Sequence, residues 1–151
     1  MLDGFHILTL THRDAPLSVI AQAVLPEQTA DEKLRALQAA FGWDELMYLA
    51  TCNRVAYVFY SQQAVGHDLA AELLRNARPD LDEATVVATA ASARLLHGSD
   101  AVQHLLELSA SMDSLVVGER EIIRQLREAY DRSRAWGLTG DHLRLQLRTT
   151  I

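Results

Sequence analysis

With 151 residues, 49% of them hydrophobic and 23% charged, the chain has the size and composition of one globular domain that folds around its own core. Its single cysteine excludes an internal disulfide framework and a cysteine-rich zinc site, and no run approaches the roughly 18 apolar residues a membrane helix needs. The net charge of −6 argues against a generic nucleic-acid binder, although residues 119–151 carry seven arginines against five acids.

Phe5 to Thr11 (FHILTLT) is β-rich and predicts a first strand, stopped at Ala15-Pro16. Leu17 to Val24 predicts one or two helical turns ending near Pro26. Thr29-Ala-Asp-Glu32 has the form of a capping box, and the helix after it should bury Leu34, Leu37 and Phe41, with Gly42 as its C-cap. Met47 to Ala50 and Ala56 to Ser61 predict two more strands, with Thr51-Cys52-Asn53-Arg54 between or along them. Val65 to Asn76 reads as a helix with Leu69, Leu73 and Leu74 inward, closed by Pro79.

Thr85 to Ala91 fits helix and strand alike, and Arg94 to His97 predicts a fourth short strand. Asp100 and Gln103 mark a helix start, with Val102, Leu105, Leu106 and Ser109 on one face. A long helix should run from Glu119 to Trp136, burying Ile122, Leu126, Ala129 and Tyr130. Asp141 should cap a last helix that reaches Ile151. The expected fold class is α+β: a small antiparallel sheet of the βαββαβ kind, followed by a helical subdomain. The opening MLDGFH lacks the basic and apolar segments of a secretory leader, so a reducing, cytoplasmic setting is expected, with no membrane partner.

Cys52 is the one thiol. A lone cysteine is commonly a small buried hydrophobe. Here Thr51, Asn53 and Arg54 surround it with polar groups, and a nearby cation raises the thiolate fraction. On a regular strand Cys52 and Arg54 would share a face about 7 Å apart, as nucleophile and anion clamp. Taken alone, His104 sits beside leucines and reads as readily as a core histidine as a pocket residue. The seven glycines form no Gly-x-Gly-x-x-Gly, so no Rossmann-type dinucleotide site is expected, and no metal site is visible.

Four segments together carry a resemblance. Leu49-Ala-Thr-Cys-Asn-Arg54 is similar to the Ser-Thr-Cys-Asn-Arg motif of glutamyl-tRNA reductase, and Met112-Asp-Ser-Leu-Val-Val-Gly-Glu119 to that family's Leu-Asp-Ser-Met-Val-Leu-Gly-Glu. Thr9-Leu-Thr-His-Arg-Asp-Ala-Pro16 resembles its Asn-His-Lys-Thr-Ala-Pro, and Ala101-Val-Gln-His-Leu105 its Ala-Val-x-His-Leu. The motifs stand in the family's order and cover its N-terminal catalytic domain. The sequence departs from the family pattern at Val19-Ile20-Ala21, Ala56, Val58, Glu107 and Arg120, while Gln125 persists.

The resemblance implies that Cys52 takes the glutamyl group from charged tRNA as a thioester. NADPH would then reduce this to glutamate 1-semialdehyde for tetrapyrrole (porphyrin) synthesis. It places Arg54 on the glutamate carboxylate, His104 with Cys52 as catalytic, and Thr51, Asn53, Ser114, Glu119 and Gln125 around the substrate. It implies a catalytic domain over residues 1–141, with 142–151 beginning the family's long connecting helix. The NADPH-binding and dimerisation domains would lie outside these residues, so NADPH serves the full-length enzyme and is not expected to bind this chain. The implied partners are glutamyl-tRNA, a second copy of the full-length enzyme and the downstream aminomutase. A binding module that kept the fold, and a stand-alone cysteine hydrolase, are the rival readings.

Overall fold

The computed structural model describes residues 2–109 and 119–150, with side chains over 3–109 and 123–148. A 3-10 turn (Leu2–Gly4) leads into β1 (Phe5–Thr11) and α1 (Leu17–Ala23). A second 3-10 turn (Glu27–Thr29) leads into α2 (Ala30–Phe41), followed by β2 (Glu45–Thr51) and β3 (Arg54–Tyr60). Then come α3 (Leu69–Ala77), α4 (Glu83–Ser92), β4 (Arg94–His97), α5 (Ser99–Ser109), α6 (Glu119–Ala135) and α7 (Asp141–Thr150).

The four strands form one sheet in the order β2-β3-β1-β4, and every neighbouring pair is antiparallel. This is the split βαβ arrangement expected from the sequence, with the α+β class. Strand alternation divides the side chains between two cores. Leu8, Leu10, Leu46, Tyr48, Val55, Tyr57 and Phe59 meet α1–α4 on one face. Phe5, Ile7, Met47, Leu49, Ala56 and Val58 meet α5–α7 on the other. The last three helices, the helical part expected after the sheet, roof its second face, which is why β1 and β3 are buried at every position. The apolar departures Ala56 and Val58 serve this packing.

Several local expectations change. The Thr29 side chain makes no cap bond, because a 3-10 turn precedes α2 and sets Thr29 at φ −120°, ψ 6°. Gly42 does cap α2, at φ 68°. Its N–H bonds Ala39 O while Trp43 N–H bonds Gln38 O, the paired bonds of a Schellman motif. α3 starts at Leu69, later than Val65, and the ambiguous 85–91 run is helical because Asp82 accepts the Thr85 N–H at 2.7 Å. On α5 the buried residues are Ala101, His104, Leu105 and Leu108. Leu106 is 47% exposed, so the inward stripe is rotated from the expected one and includes the histidine. Ile122 has no described side chain, and Leu126 and Ala129 are buried as expected.

β2 is an edge strand, and the chain covers it. Tyr48 N–H donates to Ser133 Oγ (3.4 Å) and Leu46 N–H to Leu138 O (2.8 Å). The start of α7 is held by Glu45, not by Asp141. The buried Glu45 carboxylate accepts from Gly140 N–H (2.7 Å), His142 N–H (3.0 Å) and Leu143 N–H (2.9 Å). Asp141 instead faces solvent and pairs with Arg144.

Candidate active site

The Thr51-Cys52-Asn53-Arg54 segment is a hairpin tip. Thr51 and Arg54 are cross-strand partners, so Cys52 and Asn53 form a two-residue turn between β2 and β3. The straight-strand geometry expected for Cys52 and Arg54 is thereby replaced by a turn. Cys52 is exposed, which removes the reading as a buried hydrophobe, whereas Arg54 is fully buried.

Thr51 and Asn53 fix the turn around the thiol. Thr51 Oγ1 donates to Asn53 Oδ1 (3.0 Å) and accepts the Asn53 N–H (3.3 Å). Asn53 O in turn accepts the His12 N–H (2.9 Å), which ties the turn to the end of β1. The hydrogen bonds these two residues show hold the loop itself.

Arg54 starts β3 on the same face as Ala56 and Val58, the face roofed by α5–α7. It sits in register with Thr51 on one side and Thr11 on the other. A fully buried guanidinium is costly to desolvate, which makes it suited to grip an anion in a fixed orientation. His104 lies on the buried side of α5 against this same face, and Gln125 is half-buried on α6 just before Leu126 of that core. The site residues on β3, α5 and α6 thus belong to one layer of the molecule. Ser114 lies outside the described residues, and for Glu119 only the backbone, at the start of α6, is described.

Residues at the end of β1, in the Thr9–Pro16 segment, also belong here. Thr11 is fully buried; its N–H and Oγ1 both donate to Asp14 Oδ2 (3.2 and 2.9 Å), and Asp14 pairs with Arg94. Beside the Cys52–Asn53 turn, His12 carries a buried Nδ1 with no hydrogen-bond partner among the described residues. The signal for Thr9 and Thr11 was the alternation in FHILTLT, which sets both on the Phe5–Ile7 face. Further along, Arg124 and Glu128 pair at 2.7 Å on the exposed face of α6.

The fold and tip define a class: an α+β domain that presents one exposed thiol on a hairpin turn whose second strand opens with a buried arginine. Residues 8–151 match the family model described as the glutamyl-tRNA reductase N-terminal domain. The chain is 34% identical over 145 residues to the glutamyl-tRNA reductase of Hyperthermus butylicus, covering 96% of this chain and 31% of that protein. It is 34% identical over 150 residues to that of Kineococcus radiotolerans, covering 96% and 32%. The solved glutamyl-tRNA reductase of Methanopyrus kandleri superposes with a TM-score of 0.74 at 28% identity, over 97% of this chain and 32% of that one. The chain belongs to the glutamyl-tRNA reductase family and corresponds to its N-terminal domain. It spans about a third of the length of these relatives.

Proposed function

We propose that this domain carries the acyl-transfer step of a glutamyl-tRNA reductase, with Cys52 as nucleophile, glutamyl-tRNA as substrate and tetrapyrrole synthesis as the pathway served. The observation that carries the reading is the exposed thiol on a hairpin turn next to a fully buried arginine, in a chain of this family. The Cys52 thiolate attacks the carbonyl carbon of the glutamyl ester. A C–S bond forms, the C–O bond to the ribose breaks, and the ribose hydroxyl takes up a proton. His104 polarises the ester or moves that proton, an imidazole being able to do either near neutrality. Arg54 holds the carboxylate of the glutamyl group; Thr51, Asn53, Ser114, Glu119 and Gln125 complete the substrate's surroundings.

NADPH supplies hydride in the proposed overall reaction. The described residues do not fit it: every strand pair is antiparallel, whereas a dinucleotide cradle is built on a parallel βαβ unit with a glycine-rich turn, and the sequence has no such motif. We place its site, like the homodimer and the aminomutase contact, in the part of the enzyme outside this chain. A cytoplasmic setting fits a free exposed thiol; no described helix is long and apolar enough to cross a membrane.

The role of Arg54 is tested by Arg54→Lys, which keeps the charge but loses the planar fork. Acylation of Cys52 by glutamyl-tRNA should fall, and discrimination against glutaminyl-tRNA should weaken. Wild-type acylation with full discrimination in the Lys variant would remove Arg54 as the carboxylate clamp.

A further inference from the structure

A cleft of about 460 Å³ runs along the outer edge of β2, between the 24–30 segment and α6. That volume lies within the range of about 300–1,000 Å³ usual for ligand sites. Its floor is Tyr48 and Ala50, and its far wall is Arg132, in the last turn of α6, and Trp136, just past that helix, whose N–H bonds Arg132 O. Ala50 stands two residues before Cys52, near the end of β2, so the floor of the cleft runs along the strand that leads into the thiol's turn.

The two tryptophans of the chain have different fates. Trp43 is buried in the core, stacked between Phe41 and Phe59. Trp136 lies partly exposed in the cleft, with its backbone carbonyl accepting from Arg35 Nε. Arg132 is exposed beside it, and Arg35 adds a second guanidinium nearby. Tyr48 is anchored by accepting the Leu25 N–H at 3.0 Å, and Glu27 stands on the rim.

An indole face next to a guanidinium is the pairing that holds unstacked bases and their phosphodiesters. A carboxylate such as Glu27 accepts from exocyclic amino groups, which cytosine and adenine both carry. We propose that this cleft seats the unpaired 3′ end of the acceptor strand, with a base on Trp136 and a phosphodiester on Arg132, while the ester lies at Cys52. This rests on the reading of Cys52 as the nucleophile and extends it by naming where the RNA lies. The local excess of arginine over acid in residues 119–151 suits a polyanion despite the acidic balance of the whole chain.

The test is a titration of the 151-residue chain with the RNA tetranucleotide ACCA, read by tryptophan emission and by anisotropy of a 5′-labelled strand. Because Trp43 is buried, quenching reports Trp136. We expect saturable quenching, and at least about tenfold weaker binding by anisotropy for Trp136→Ala. Arg132→Gln, an exposed substitution that leaves the fold alone, should weaken binding and flatten the salt dependence by about 0.7 in log–log slope. Arg75→Gln, on α3, should do neither. In parallel, a small α-thioester of glutamate should acylate Cys52 equally in wild type, Trp136→Ala and Arg132→Gln. Absent RNA binding, or binding unchanged by both substitutions, while the small thioester acylates Cys52, overturns the cleft and leaves the nucleophile standing. Failure of the small thioester to acylate Cys52 overturns the nucleophile, and the titration judges the cleft by itself.

Discussion

Glu45 joins β2 to the start of α7 across 95 residues of sequence, and its removal is the sharpest test of how the second face is roofed. Its carboxylate accepts three backbone N–H groups at 2.7–3.0 Å, and a Cβ on Gly140 would stand only 3.1–3.3 Å from that carboxylate. A lost helix cap costs about 0.5–2 kcal/mol and the lost charge at the helix start up to about 2 kcal/mol more. The three N–H groups left without an acceptor outweigh the relief of burying the carboxylate, so Glu45→Ala should cost about 3 kcal/mol, and Glu45→Gln, which keeps one acceptor, about half of that. For a chain of this length each kcal/mol lowers Tm by roughly 2–4 °C, so the Ala variant should melt about 6–12 °C lower. Asp141→Ala should cost about 0.5 kcal/mol or less, since that side chain is exposed and pairs only with Arg144. Urea and thermal unfolding of the three variants decide it. A Glu45→Ala protein within about 0.5 kcal/mol of wild type, or a larger loss at Asp141, would refute this account of the helix start.

The two neighbouring tyrosines should respond in opposite ways. The Tyr57 hydroxyl is buried with no hydrogen-bond partner among the described residues, so Tyr57→Phe should be neutral or stabilise by up to about 1 kcal/mol in urea unfolding. Tyr48→Phe strands the Leu25 N–H and should cost about 1–2 kcal/mol; the reverse order would contradict the hydrogen-bond assignment. Asp80 is held at a pKa of about 2, chiefly by hydrogen bonds from Arg78, and an NMR pH titration should find it there in the wild type and back toward the ordinary carboxylate range in Arg78→Gln. Since its folded value is the depressed one, whatever the pair adds to stability is present above about pH 4 and lost as the pH falls through about 2.

Much of this architecture is written in local pattern. Alternation in FHILTLT and in the 46–50 and 55–60 runs sets the two faces of the sheet, and Gly42 ends α2 where its neighbours require a left-handed residue. Other features depend on distant residues. Nothing near Asp141 reveals that Glu45 takes the helix start, and nothing in α5 shows that His104 turns to the sheet while Leu106 turns to solvent. An apolar count assigns the stripe by hydrophobicity, whereas the fold assigned it by which side meets β1 and β4. Thr-Cys-Asn-Arg was recognisable as a motif, but not as a hairpin tip. That Thr51 and Asn53 bond each other, leaving Cys52 exposed at the tip, follows from the pairing of Thr51 with Arg54, which strand propensity alone does not place.

The central claim is that Cys52 accepts the glutamyl group, and intact-mass spectrometry after an acid quench tests it most directly. The chain is mixed with glutamyl-tRNA carrying labelled glutamate, with Cys52→Ser alongside and tRNA binding checked separately. A thiol is ionised to a few per cent near neutrality and a serine hydroxyl without a positioned base scarcely at all, so one labelled glutamyl group should appear on Cys52 and none on the serine variant. With water as the remaining acceptor, free glutamate should then be released slowly. Label on no residue of a chain that binds the charged tRNA, or equal label on the serine variant, would contradict the claim.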